Sequence, residues 1–147
     1  MKLFLYFVLF AVFGVAFEVF WVSLLDFLKT HNPRLKGRSS LWMFPIYGCL
    51  LFVVMFVRGV FPSCPWWFRG VVYVVLILVL EYLSGAFVRG LTGVAPWDYE
   101  RKTSDGVGSP KRYNIDGLVC LEYVPLWFFG GLAAELFFLF LESHIIL

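Results

Sequence analysis

Four long apolar stretches constrain the environment in which this chain can fold. They cover residues about 3–28, 42–61, 66–91 and 119–141, and each has at least about the 20 mostly apolar residues that a helix needs to cross a bilayer. The composition agrees, because 61% of the residues are hydrophobic and only 15% are charged, against about 25% charged in soluble domains. The sequence therefore predicts an all-α membrane protein, a bundle of four transmembrane helices in a single domain over residues 1–147.

The polar remainder of the chain excludes several functional classes. The first apolar stretch is too long for the core of a signal peptide and lacks a small-residue cleavage site. No glycine-rich phosphate loop and no polybasic run occur, and Cys49, Cys64 and Cys120 form no disulfide or zinc pattern. We therefore predict no cofactor, no metal site and no nucleic-acid partner. No catalytic constellation is visible either, so an enzyme remains possible only through unrecognised chemistry.

The distribution of basic residues predicts the orientation of the bundle. Lys and Arg resist translocation, so the more basic short loops stay in the cytoplasm. Nine of the 12 basic residues lie in or next to the loops at about 29–41 and 92–118, and only Lys2, Arg58 and Arg69 lie on the other side. We therefore expect both loops in the cytoplasm, with both termini and the turn at Pro62 on the non-cytoplasmic side.

The loop at about 92–118 has two unlike parts. Its start, Pro96-Trp97-Asp98-Tyr99, is aromatic and is expected at the membrane surface. The stretch 102–113 is rich in Gly, Ser, Lys and Asp and is typical of a mobile insertion, so no secondary structure is predicted there.

The second and fourth stretches open in a similar way. Each has a proline near its start, Pro45 and Pro125, where the missing N–H is tolerated, and each follows a helix with one central glutamate. This pattern indicates either a parallel two-plus-two helix repeat about an axis along the membrane normal, or only the entry prolines that helical hairpins share.

Three carboxylates are predicted inside the membrane. Glu18, Glu81 and Glu135 lie near the middle of the first, third and fourth stretches. Insertion scales put the cost of a central Asp, Lys or Arg at about 2.5 to 3.5 kcal/mol, so we expect these side chains to face inward. Each has a glycine four residues away on the same helix face, where a neighbouring backbone can approach closely. These glycines are Gly14, Gly85 and Gly131.

Two interpretations of the three carboxylates stay open. In one, they line a polar cavity that binds a cation, a proton or a lipid head group, with Tyr47, Trp21 or Tyr82 forming its walls. In the other, each is a neutral acid that donates an interhelical hydrogen bond of about 0.6 kcal/mol.

The arginines at the helix ends have a simpler interpretation. The side chains of Arg58, Arg69 and Arg89 are expected to extend toward the membrane interfaces along their aliphatic stems. Arg89 alternatively meets Asp98 or a lipid phosphate, whose geometry suits a guanidinium. Asp98 has no nucleophile or metal partner in the sequence that would make it a general base.

Five motifs in order resemble one family. They are Gly14-x-x-x-Glu18, the stretch 40–48 (SLWMFPIYG), Glu81-Tyr82-x-x-Gly85, Pro96-Trp97-Asp98-Tyr99 and the stretch 121–127 (LEYVPLW). Together they resemble the CmpB-type family of ABC-transporter permeases, which includes vertebrate transmembrane protein 229. The likeness extends from Gly14 to Glu135, and the stretch 102–113 departs from it by being longer than the family's usual link. The resemblance implies a multi-pass membrane protein labelled a permease by association. Because four helices enclose little room for a substrate path, transport would require a homo-oligomer or a larger membrane partner.

Three functional hypotheses follow. The leading one is a permease-like or lipid-contacting membrane component whose interior is lined by Glu18, Glu81, Glu135 and Tyr47. The second is a scaffold that docks a partner through Trp97, Asp98 and Tyr99, with Arg89 beside them. The third is a lipid-modifying membrane enzyme. Membrane lipids are the expected partners in each case.

Overall fold

Four helices and one small hairpin make up the computed structural model, which describes residues 1–100 and 111–145. Helix α1 covers Lys2–Thr30, α2 Met43–Val60, α3 Trp66–Thr92 and α4 Val124–His144. All four are long and apolar enough to cross a membrane, so the predicted four-helix membrane bundle is confirmed. The predicted insertion at 102–113 falls mostly outside the described residues.

The fourth helix begins later than predicted. Residues 119–123, which were expected to be helical, form a short strand β2 (Val119–Cys120) and one turn of 3-10 helix (Leu121–Tyr123). Strand β2 pairs antiparallel with β1 (Asn114–Ile115). Between them Asp116 and Gly117 have φ values of 55° and 65°, the left-handed conformation that a tight turn needs. This hairpin was missed because its strands are only two residues long.

The helices pack as two antiparallel pairs, α1 with α2 and α3 with α4, joined through contacts between α2 and α3. At one end of the bundle, here the Pro62 end, residues 61–65 connect α2 to α3. At the other, here the loop end, residues 31–42 and 93–123 connect the helices. The buried core lies toward the Pro62 end and includes Tyr6, Leu51, Val54 and Tyr73. The loop end has less core and holds a cavity.

Candidate functional site

A cavity of about 460 Å³ opens at the loop end, and we call it the loop-end cavity. Its lining includes Glu18 on α1, Tyr47 on α2, Glu81 on α3 and Trp127 on α4, together with residues of both long loops. Ligand sites typically have volumes of about 300 to 1,000 Å³ and a few converging polar groups. The cavity therefore has the size and the mixed lining of a small-molecule site.

The register of the helix pairs explains why a space remains there. Gly14 packs against the ring of Tyr47, so four residues further along the antiparallel pair Glu18 lies level with Met43, the first residue of α2. The contact of Gly131 with Tyr73 likewise places Glu81 level with Tyr123, just before α4. Both long helices thus continue past the start of their shorter partners. Beyond this level loop segments border the bundle in place of further helical turns, and the cavity lies among them.

Glu18 is held by the first loop. The Ser39 hydroxyl donates a 2.7 Å hydrogen bond to Glu18 Oε2, and the Tyr47 hydroxyl lies beside the same carboxylate. Ser39 reaches this depth because the loop folds back along α1. At Gly37 the loop lies so close to α1 that a β-carbon would collide with the Val19 carbonyl and the Ser23 hydroxyl.

Glu81 is held by the second long loop, but only through one of its oxygens. The Tyr99 hydroxyl donates a 2.9 Å hydrogen bond to Glu81 Oε1. Burial raises the pKa of that hydroxyl, and the negative charge of the Glu81 carboxylate raises it further, so the hydroxyl stays protonated and acts as a donor. Glu81 is only 8% exposed, and its Oε2 atom makes no hydrogen bond within the described part of the chain.

Two buried indole groups also lack partners at this cavity. Among the described residues, the Nε1 atoms of Trp21 and Trp127 make no hydrogen bond, although Trp127 lies beside the Glu81 carboxylate. Buried polar atoms in native proteins are nearly always hydrogen-bonded to protein, water or ligand. One acceptor and two donors with unused hydrogen-bonding capacity therefore belong to the walls of a single cavity.

The two halves of the chain contribute equivalent groups. Each long helix supplies a glutamate, Glu18 or Glu81, and each long loop supplies the hydroxyl that binds it. The residue two positions after each entry proline, Tyr47 or Trp127, lies beside the same glutamate. This correspondence supports the predicted parallel repeat.

The mouth of the cavity carries charges of both signs. It is lined by Asp26 and Lys29 at the end of α1, Arg38 in the first loop, and Asp98 and Lys111 in the second. Lys111 also pairs with Glu122 at 3.0 Å. Across residues 1–100 and 111–145, no group of three or more His, Cys, Asp or Glu side chains is placed to hold a metal ion.

Glu135 lies outside this cavity. Arg69 binds it through two nitrogens, with Nε to Oε2 at 3.0 Å and Nη2 to Oε1 at 2.9 Å. Arg58 Nη1 lies 3.3 Å from Oε1, and the Tyr73 hydroxyl donates to Oε2 at 2.8 Å. The structure therefore separates the predicted trio and joins Glu135 to α2 and α3 near the Pro62 end. The interpretation of Arg58 and Arg69 as side chains that extend to the interface is wrong, because both turn inward to this carboxylate.

The three predicted notches accept side chains rather than backbone. The Tyr47 ring occupies the space at Gly14 and the Tyr73 side chain occupies that at Gly131, while Leu118 and Trp97 lie against Gly85. The close approach was predicted correctly, but its partners are mainly aromatic residues. A tyrosine thus covers the glycine next to both Glu18 and Glu135.

The predicted docking residues do not form one exposed surface, because two of them make polar contacts inside the chain. Trp97 donates from Nε1 to the Leu118 carbonyl at 2.8 Å, and Tyr99 turns inward to Glu81, so Asp98 is the most exposed of the three. Arg89 pairs with Asp116 at 2.5 Å, not with Asp98 as one alternative expected, and it lowers the pKa of the Asp116 carboxyl.

Sequence reasoning missed several groups of these sites. Ser39 was passed over because it has no histidine partner, and its place depends on how the first loop folds back. Trp127 had a usable signal, since it stands two residues after Pro125 as Tyr47 stands after Pro45. Arg69 and Tyr73 lie four residues apart on one face of α3, which marks a polar face that Glu135 completes.

Comparisons with known proteins agree with this architecture. No solved structure matches the chain. One family model matches residues 5–146, nearly the whole sequence, and its description is "Putative ABC-transporter type IV". This match covers the four helices and all the glutamates described above. The chain is therefore a multi-pass membrane protein that belongs to the CmpB-type ABC-transporter family.

Proposed function

We propose that this membrane protein is a permease-like or lipid-contacting component that binds a polar ligand in the loop-end cavity. Glu18, Glu81 and Tyr47 are its binding groups, and Tyr99 orients Glu81. The observation that carries the proposal is the unused Oε2 atom of Glu81, which is buried in the wall of a cavity of about 460 Å³.

The partners of the glutamates favour binding over a purely structural role. An assembly carboxylate is expected to bond to a neighbouring helix, as Glu135 does with Arg69 and Tyr73 on α3. The hydroxyl groups that bind Glu18 and Glu81 come from loops instead. This arrangement leaves both carboxylates facing an open space, so Glu135 takes the structural role and the other two take the ligand.

Packing below the cavity limits what one chain does alone. Tyr73, Leu51 and Val54 are fully buried between the cavity and the Pro62 end, so a single bundle offers a site open to one end and no continuous path. We propose that transport, where it occurs, uses a homo-oligomer or a larger membrane partner. We also propose that the loop end faces the cytoplasm, because the basic residues concentrate there.

The docking alternative has less support. Trp97 and Tyr99 make their polar contacts inside the chain, which leaves a smaller aromatic surface for a partner than the sequence indicates. A scaffold role for Trp97, Asp98, Tyr99 and Arg89 stays a prediction, and crosslinking from position 97 tests it by capturing a protein or only lipid.

The test of ligand binding compares wild type with Glu81→Gln. Both proteins are purified gently from native membranes in equal folded yield, and the bound small molecules and lipids are identified by native mass spectrometry. We expect wild type to retain a species that Glu81→Gln loses. Glu142→Gln, a substitution of an exposed carboxylate paired with Lys2, serves as the control and should retain it. An identical set of bound species in wild type and Glu81→Gln would remove the site.

A further inference from the structure

Within residues 1–100 and 111–145, one acceptor and two donors at the loop-end cavity have no hydrogen-bond partner. Glu81 Oε2 requires a hydrogen-bond donor, and the indole N–H groups of Trp21 and Trp127 require acceptors. A ligand that satisfies all three must carry both kinds of group. A bare metal ion or a simple alkylammonium ion supplies no acceptor, and an inorganic anion supplies no positive donor for a carboxylate.

Charge is divided within the cavity in the same sense. The two carboxylates, Glu18 and Glu81, lie at its inner part, where aromatic rings including Tyr47 and Trp127 line the wall. Aromatic faces and carboxylates together favour an ammonium group. The basic side chains Lys29, Arg38 and Lys111 lie toward the mouth, together with Asp26 and Asp98. Basic groups of this kind bind phosphate oxygens, so the mouth differs from the inner part, where Glu18 and Glu81 lie.

The depth of the cavity suits the polar part of a membrane lipid. Its inner carboxylate Glu18 lies level with the first residue of α2, close to the loop end of the bundle. Phe17 lines the cavity and is 42% exposed, so the wall includes an exposed apolar ring. Trp and Tyr side chains around the cavity are the residues enriched at head-group level.

We propose that the loop-end cavity binds a phosphoethanolamine group, with its primary ammonium at Glu81 and its phosphate toward the Lys and Arg side chains of the mouth. This inference rests on the proposed function and names the ligand of the same site. A primary ammonium donates hydrogen bonds to Glu81 Oε2, which a trimethylammonium group does not. The group arrives either as the head group of a phospholipid or as a free molecule, since the contacts made by the polar part are the same.

The experiment has one arm for each source. In the first, protein in mixed vesicles of equal phosphatidylethanolamine, phosphatidylcholine and phosphatidylglycerol is extracted, and its bound lipids are counted by native mass spectrometry. In the second, binding of radiolabelled phosphoethanolamine and phosphocholine is measured on protein in phosphatidylcholine nanodiscs. We expect a preference of at least about tenfold for the primary ammonium in one arm, since a charge-assisted hydrogen bond is at stake.

Variants assign the preference to the site. Glu81→Gln should abolish the preference, and Trp127→Phe, which removes the N–H donor and one of the two fused rings but keeps an aromatic side chain, should weaken binding while the fold is kept. Glu142→Gln should leave it unchanged. Equal binding of ethanolamine and choline forms, a preference for phosphatidylglycerol, or no binding in either arm overturns the inference. When the native-membrane experiment still yields a ligand that depends on Glu81, only the ligand class is wrong; when it yields none, the proposed function fails as well.

Discussion

Glu81 and Glu135 are both buried glutamates on long apolar helices, yet their surroundings are opposite. Glu135 receives hydrogen bonds from two arginines and a tyrosine, and both of its oxygens are used. From the residues that the structure describes, Glu81 receives one hydrogen bond, and its second oxygen has no partner. A buried charge is tolerated when it is paired and hydrogen-bonded. The saturated carboxylate therefore suits assembly, and the unsaturated one suits binding.

Removing the charge of Glu135 tests the assembly role. Its side chain is 5% exposed and that of Arg69 is 15% exposed, so Glu135→Gln leaves the largely buried Arg69 guanidinium without its counter-charge. Breaking a buried pair in this way costs about 3 to 5 kcal/mol, and we expect the free energy of unfolding in detergent to fall by that amount. Glu142→Gln is the matched control on the same helix, because the exposed ion pair of Glu142 with Lys2 is screened by solvent and should contribute little to stability. Equal losses for the two variants would contradict the assembly role.

Gly131 tests the close packing of α3 on α4. A β-carbon there would overlap the β-carbon and ring of Tyr73, atoms that move only if the helix moves. Gly131→Ala should therefore lower the unfolding free energy by about 1 to 3 kcal/mol, the usual cost of overpacking.

Gly59→Ala is the control for that substitution. Nothing lies within 4 Å of a β-carbon at Gly59 in α2, so alanine should be neutral or should stabilise the helix by up to about 1 kcal/mol. Thermal unfolding of both variants in one detergent separates the effect of contact from that of helix propensity. If Gly59→Ala lost as much stability as Gly131→Ala, the Tyr73 contact would not be the cause of the loss in Gly131→Ala.

At the scale of elements, the first loop is the part that carries Ser39 to Glu18. Gly37→Ala inserts a methyl group against the α1 backbone, so the loop should move away and the Ser39 bond should weaken. We expect faster amide hydrogen exchange over residues 35–42 and faster proteolysis at Lys36 and Arg38. The control is Lys36→Ala, a neighbouring substitution at an exposed position. Because it removes the cleavage site at residue 36, its proteolysis is compared at Arg38 alone. Unchanged exchange in Gly37→Ala would show that the loop does not need this contact.

The elements differ in how well the sequence predicted them. The four spans could be found because twenty apolar residues in a row have few alternatives, and α2 and α3 agree with the prediction within one residue at each end. The cavity could not be found in the same way. It depends on the register between helices, which Gly14 with Tyr47 and Gly131 with Tyr73 set through shape, and no hydropathy pattern records that register.

Charged partners across the bundle escaped prediction for a related reason. Arg58 and Arg69 flank the turn at Pro62, and counting residues from the helix ends placed them at an interface. Their contacts with Glu135 depend on α4 returning to the same level, which follows only from the packing of all three helices. Glu18 and Glu81 line the loop-end cavity at the level where the shorter helices begin, and their function as an inward-facing site stays a prediction.

At the scale of the whole molecule, the two ends have different characters. The Pro62 end holds the apolar core and a neutralised Glu135, whereas the loop end holds the cavity and two carboxylates that face it. Under the proposed function, a bundle built in this way presents its polar site to one side of the membrane. Which side that is determines the leaflet or compartment from which a ligand arrives.

The proposed orientation can be measured with the chain's own cysteine in the Pro62 turn. Cys64 is partly exposed there, and Cys49 and Cys120 are replaced by alanine to leave one thiol. An impermeant maleimide should label Cys64 in intact cells. A second variant that also has Cys64→Ala and Lys36→Cys, at an exposed position in the first loop, should react only after the membrane is opened.

The opposite pattern would place the cavity outside the cytoplasm despite nine basic residues at that end. A phosphoethanolamine group would then have to come from the outer leaflet or the exterior, so this labelling also decides which lipid leaflet the binding experiments should represent.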